Sequence, residues 1–79
     1  MNSPAGLIEF NLENSARVRI EVLDVRGRAV ATLVDERVPA GAHLYRWDSR
    51  GFPSGVYFYS VRSADYLKAG KFLIAAAER

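Results

Sequence analysis

Apolar and polar residues alternate with a period of two along most of this chain. Leu7-Ile8-Glu9-Phe10-Asn11-Leu12 places Ile8, Phe10 and Leu12 on one side of an extended segment, and Asn14-Ser15 breaks the pattern. Arg17-Val18-Arg19-Ile20-Glu21-Val22 resumes it, with three apolar residues on one side and three charged residues on the other. Such one-sided alternation marks antiparallel sheet with one face on a core and the other in water. Asp24-Val25-Arg26-Gly27-Arg28 carries a hairpin signal. The pattern predicts further strands from Arg28 to about Val34, from Ala42 to Trp47, from Val56 to Arg62 and from Gly70 to Ala75. Asp35 to Gly41 and Ser63-Ala64-Asp65 read as connections, and Asp48 to Gly55 as a turn-rich loop.

No segment has a convincing helical period. Ala75-Ala76-Ala77 could supply at most a terminal helical turn, and residues 76–79 are expected to fray. Six or seven short strands separated by turn residues predict an all-β, antiparallel sandwich or small barrel. Its expected core is Ile8, Phe10, Val18, Ile20, Val22, Val30, Leu33, Tyr45, Trp47, Tyr57, Tyr59, Val61 and Phe72.

Length and composition narrow the function. Seventy-nine residues suit a single domain spanning 1–79. A domain of this size buries only about 60% of the surface its unfolded chain exposes, so its stability is marginal. With no cysteine there is no disulfide, thiolate metal site or nucleophilic thiol. The net charge of +2 rests on arginines spread among acidic residues rather than on a basic tract. That distribution describes a solvated mixed surface, and no nucleic-acid partner is expected. No apolar run approaches the ~20 residues of a membrane-spanning helix.

The inventory for catalysis is thin. His43 is the only histidine and falls inside a predicted strand. Ser49, Ser54, Ser60, Asp48 and Asp65 could complete a triad only on paper, because no Gly-x-Ser-x-Gly elbow frames any serine. Asp48-Ser49-Arg50-Gly51 begins like a calcium loop, but Arg50 stands where a carboxylate is needed. Asp48 is better suited to capping its own turn. No catalytic residue, metal ligand or cofactor is therefore expected. One further feature concerns contact rather than chemistry. In Val56-Tyr57-Phe58-Tyr59-Ser60-Val61-Arg62 the parity set by Ser60 and Arg62 turns Tyr57, Tyr59 and Val61 inward. Val56 and Phe58 then face outward as a candidate contact patch.

Several motifs occur in a familiar order. They are Asp24-Val25-x-Gly27-Arg28, Val30-x-Thr32-Leu33-Val34, Ala40-Gly41-x-His43, Trp47-Asp48, Ser54-Gly55-Val56-Tyr57-Phe58-Tyr59 and Lys71-Phe72-Leu73-Ile74. Together they resemble the C-terminal sorting domain of type IX secretion cargo. They are equally similar to the immunoglobulin-like domain of flagellar hook-capping proteins. The resemblance implies an immunoglobulin/fibronectin-III-like β-sandwich of about seven strands, at the C-terminus of a larger secreted protein. It implies a non-catalytic address read by the outer-membrane export machinery, and a product secreted or held at the cell surface by way of the periplasm. The family's motif positions correspond to Gly55, Tyr57, Gly70 and Lys71, followed by the apolar end Phe72-Leu73-Ile74. The family often closes on a lysine or arginine directly after that apolar strand, whereas Ala75-Ala76-Ala77-Glu78 precede Arg79 here.

Two other roles suit the same pattern. One is a structural module of an extracellular filament, hook cap or multidomain surface enzyme, whose partners are neighbouring modules. The other is a carbohydrate-binding accessory domain that uses Trp47, Phe52 or Phe58 as a stacking platform.

Overall fold

The computed structural model describes residues 6–74, and every regular element among them is a strand. They are β1 (Leu7–Leu12), β2 (Ala16–Leu23), β3 (Ala29–Val38), β4 (Gly41–Arg46), β5 (Gly55–Ser63) and β6 (Tyr66–Ile74). β1 and β4 form a two-stranded sheet, and the other four make a sheet in the order β3-β2-β5-β6. All pairings are antiparallel. One apolar cluster joins the two sheets. Ile8, Phe10 and Leu12 of β1 meet Val18, Ile20 and Val22 of β2, with Val61, Tyr57, Phe72 and Ile74 from β5 and β6. The alternation expected for β1 and β2 is met: Ile8, Val18, Ile20 and Val22 are wholly buried, while Arg17 and Arg19 are exposed.

The β2–β3 turn is built by its own aspartate. Asp24 exchanges backbone bonds with Gly27 and Arg28 at 2.9 Å. Its Oδ1 also accepts from the amides of Arg26 and Arg28 at 2.9 and 3.0 Å. Gly41 likewise lies at a turn, but not in a hairpin. It opens β4 where the chain crosses from one sheet to the other.

Four expectations are corrected. First, β3 does not stop near Val34. Asp35, Glu36 and Arg37 continue the ladder opposite Arg19, Val18 and Arg17, and Val38 closes it opposite Ala16. Charged residues are tolerated because β3 is an edge strand, and Asp35 is ion-paired with Arg17 and Arg19 at 3.1 and 3.2 Å. Second, β6 starts at Tyr66 rather than Gly70, because the two-residue turn Ala64-Asp65 lets pairing begin at once with Ser63.

Third, the core differs at its margins. The β2–β3 register skips twice, leaving Leu33 and Val30 as the extra residues of two bulges. A bulge breaks the alternation of faces, so these two are only half-buried and Val34 and Val38 enter the core instead. Tyr45 and Tyr59 are also partly exposed and pack against the core from its flank. Two strands lie against four, so the smaller sheet leaves part of the larger one uncovered. Leu12 and Ile74, at the ends of their strands, are buried as well. Fourth, six strands rather than about seven are present among the described residues; residues 47–54, expected as a loop, add no further strand. The expected fraying of residues 76–79 lies outside the described residues.

Candidate functional site

The β5–β6 hairpin carries the motif positions Gly55, Tyr57, Gly70, Lys71, Phe72, Leu73 and Ile74 and the candidate contact patch. Its register runs unbroken from Gly55 opposite Ile74 to Ser63 opposite Tyr66. Because side chains alternate across a strand, the hairpin has two faces with different contents.

The inner face is aromatic and buried. Tyr57 lies 5.2 Å from the Trp47 ring, and Phe72 stacks on Trp47 at 5.8 Å and on Tyr59 at 5.1 Å. The Tyr57 hydroxyl donates to the Pro53 carbonyl at 2.6 Å, which fastens the loop before β5 to the strand itself. Phe52 from that loop packs on Trp47 at 5.0 Å. The glycines have separate reasons to be there. Gly70 lies opposite Tyr59, whose ring covers it so closely that a Cβ would overlap the ring atoms. Gly55 opens β5 at φ +146°, a backbone conformation that L side chains rarely adopt. Phe72 and Ile74 are 6% and 7% exposed, so neither offers a side chain to a partner.

The outer face differs. Val56 pairs with Leu73, and Phe58 pairs with Lys71 on one side and Leu23 of β2 on the other. Phe58 and Leu73 are 39% and 70% exposed, Val56 is half-buried, and Lys71 is exposed. The expected outward parity of Val56 and Phe58 is therefore met. The neighbouring part of this face, on β2 and β3, is charged and laced by ion pairs. There Arg17 and Arg19 bond Asp35, and Arg19 bonds Glu21 at 3.0 Å. Lys71 has no ion-pair partner among the described residues.

The other residues considered for chemistry are not assembled into a site. His43 belongs to β4, stacks on Phe10 at 5.3 Å and donates from Nε2 to the Pro39 carbonyl at 2.7 Å. Ser60 lies in the other sheet, opposite Glu21 and Ala69. Asp48 caps its turn through the Arg50 amide at 3.0 Å, and the Arg50 guanidinium grips its carboxylate at 2.7 Å. Those bonds, the side-chain one first, hold the Asp48 pKa down at about 2. Asp24 is also lowered, chiefly by the amide bond from Arg28. Trp47 is 4% exposed and Phe52 is packed on it, so the proposed sugar-stacking platform is largely inside the protein.

The chain matches the secretion system C-terminal sorting domain over residues 5–75. The chain belongs to this family. Comparison with curated proteins and with solved structures gives no match. The domain is a sorting signal for type IX secretion, of a family that is not catalytic and that marks proteins secreted or attached to the cell surface. A sorting domain implies contact with the type IX secretion machinery, and no helix here is long and apolar enough to cross a membrane.

Within a sorting domain, the alternation of β6 separates the motif residues by what a partner can reach. Gly55, Tyr57, Gly70, Phe72 and Ile74 shape the hairpin from inside. Lys71 stands outside, next to Phe58. Two outward residues escaped the sequence reading. Leu73 was seen only as part of an apolar end, although extending the alternation from Phe72 would have turned it outward. Leu67, 68% exposed, lies between Asp65 and Gly70, a stretch that the pattern assigns to no strand.

Proposed function

We propose that the export machinery reads this sorting domain through the outward residues of the β5–β6 hairpin. Lys71 and Leu73 of β6 would make the contact, with Phe58 and Val56 of β5 beside them. Gly55, Tyr57, Gly70, Phe72 and Ile74 contribute by holding that surface in shape. The observation that carries this reading is the exposed, unpaired Lys71 set beside the exposed Phe58 and Leu73. An exposed apolar patch with one free charge is suited to a contact surface.

The sandwich is of the immunoglobulin/fibronectin-III type in this reading, and it forms a single module of a larger secreted protein. Two features support the fold. The order β3-β2-β5-β6 is that of the larger immunoglobulin sheet with its added strand, C′-C-F-G. The Tyr57 to Pro53 bond, near the start of the fifth strand, is placed as the tyrosine corner of that fold. The likeness to hook-capping domains supports the same sandwich without adding a second role. The isolated module has no enzymatic activity of its own.

The test is export of a reporter fused to the module in a host that has the pathway. Lys71→Glu and Leu73→Ser should each reduce export while leaving the purified module folded. Normal export of both folded variants would remove the outer face from recognition and leave the module with a scaffolding role.

A further inference from the structure

Among the described residues there are four open strand edges, two on each sheet, and they are not equally open. β3 is bulged twice and carries Asp35, Glu36 and Arg37, devices that discourage a further strand. β1 is guarded: Lys68 reaches across from β6 and donates to the Glu9 carbonyl. That carbonyl points away from β4. Trp47 N donates to Gly6 O, so bonded pairs recur at Ile8, Phe10 and Leu12, and Glu9 falls between them. β4 is short, at six residues. β6 is nine residues long with no shift in its register.

The direction of the β6 backbone follows from its turn. A two-residue hairpin closes on a hydrogen-bonded pair, here Ser63 and Tyr66. Bonded pairs then recur at Lys68, Gly70, Phe72 and Ile74. Leu67, Ala69, Lys71 and Leu73 therefore direct both N–H and C=O away from β5. These are also the four exposed side chains of the strand. No strand pairs with this edge among the described residues.

We infer that the export partner binds by strand addition to β6, laying an extended segment of its own along Leu67 to Leu73. This rests on the reading that the machinery recognises β6, and it specifies how. The added strand takes its hydrogen bonds from Leu67, Ala69, Lys71 and Leu73, a backbone code that any extended peptide can satisfy. Selectivity comes from side chains with a period of two on the outer face. An acidic residue of the partner sits beside Lys71, and apolar residues sit beside Leu73 and Leu67. Positive charge is free along this edge: neither Lys71 nor Arg62, opposite Leu67, has an ion-pair partner among the described residues.

The experiment separates backbone from side chain. Ala69→Pro removes one outward N–H and leaves every bond to β5 in place, and proline is tolerated on strand edges. Ala69→Ser keeps the N–H. In the reporter fusion, Ala69→Pro should lower export by up to about tenfold, the worth of one net hydrogen bond, and Ala69→Ser should export like the parent. A folded Ala69→Pro module that is exported normally overturns strand addition and leaves recognition by side chains standing. If the unaltered fusion is not exported, the recognition reading and this inference fall together. Hydrogen exchange on the unaltered module decides the matter even if Ala69→Pro does not fold. The amides of Leu67, Ala69, Lys71 and Leu73 should exchange freely alone. They should become protected when detergent-solubilised outer membrane from the pathway host is added. Unchanged exchange at these four amides under that addition overturns the inference.

Discussion

The two faces of the β5–β6 hairpin are made from the same two strands, yet they use their residues for opposite ends. On the inner face every contact is closed. Tyr59 covers Gly70, Phe72 is stacked between Tyr59 and Trp47, and the Tyr57 hydroxyl has its acceptor in Pro53. On the outer face Phe58, Leu73 and Lys71 are left exposed. A partner cannot read a residue that the core has already taken. A motif that runs through both faces therefore mixes two kinds of constraint, and its alternate positions should respond differently to substitution.

The sharpest way to break this comparison is to hollow out the inner face. Phe72→Ala should cost ~3–5 kcal/mol of stability, measured by denaturant unfolding. That is close to the whole stability of a domain of this size, and Trp47→Ala should behave alike. A Phe72→Ala module that unfolds like the parent would mean that Phe72 is not core. Gly70→Ala comes next. A methyl group there must displace the Tyr59 ring, at an expected cost of ~1–3 kcal/mol from overpacking. Pairing it with Tyr59→Ala should relieve part of that cost, since the two residues share one space.

Smaller effects sharpen the picture. Tyr57→Phe deletes one hydrogen bond and keeps the ring, so about 0.5–1.5 kcal/mol should be lost. The outer face should be nearly silent in the same assay. Leu73→Ser is expected to shift stability by about 0.5 kcal/mol or less, although it should reduce export. A loss of stability as large as that of Phe72→Ala would erase the distinction between the faces.

The last effect is one of pH. Asp48 has a folded-state pKa of about 2, below the ordinary 3.8, because Arg50 bonds its charged form. A depressed carboxylate contributes stability that is fully present above the unfolded pKa. That contribution is lost as pH falls from near 4 towards 2. Comparing Asp48→Asn with the parent across that range should show their difference in melting temperature shrinking as acid is added. A difference independent of pH would mean that Arg50 does not hold the charged form.

How much of this was legible in the chain depends on how local the cause was. The alternation of Ile8 to Leu12 and of Arg17 to Val22 reports burial directly, because a strand's two faces follow from its own geometry. The turn at Asp24 to Gly27 is equally local, since the aspartate bonds amides two and four residues away. The outward turn of Val56 and Phe58 was legible for the same reason. Leu33 and Val30 were misassigned because bulges are set by pairing with β2, a long-range fact that no local window contains. The start of β6 was missed because Lys68 interrupts the apolar pattern, and its reason for being there is a carbonyl on β1.

By itself, the sequence determined the class of fold, most of the core and the identity of the family, through periodicity, turn chemistry and the order of motifs. Each of these is a property of neighbours along the chain. Tertiary structure alone decided that Gly70 makes room for a ring eleven residues before it, that β3 and β6 became the outer edges of one sheet, and that β6 keeps an unbroken nine-residue register with no strand on its outer side among the described residues. Those outcomes depend on which strand lies beside which, and that is settled when both sheets close on a shared core.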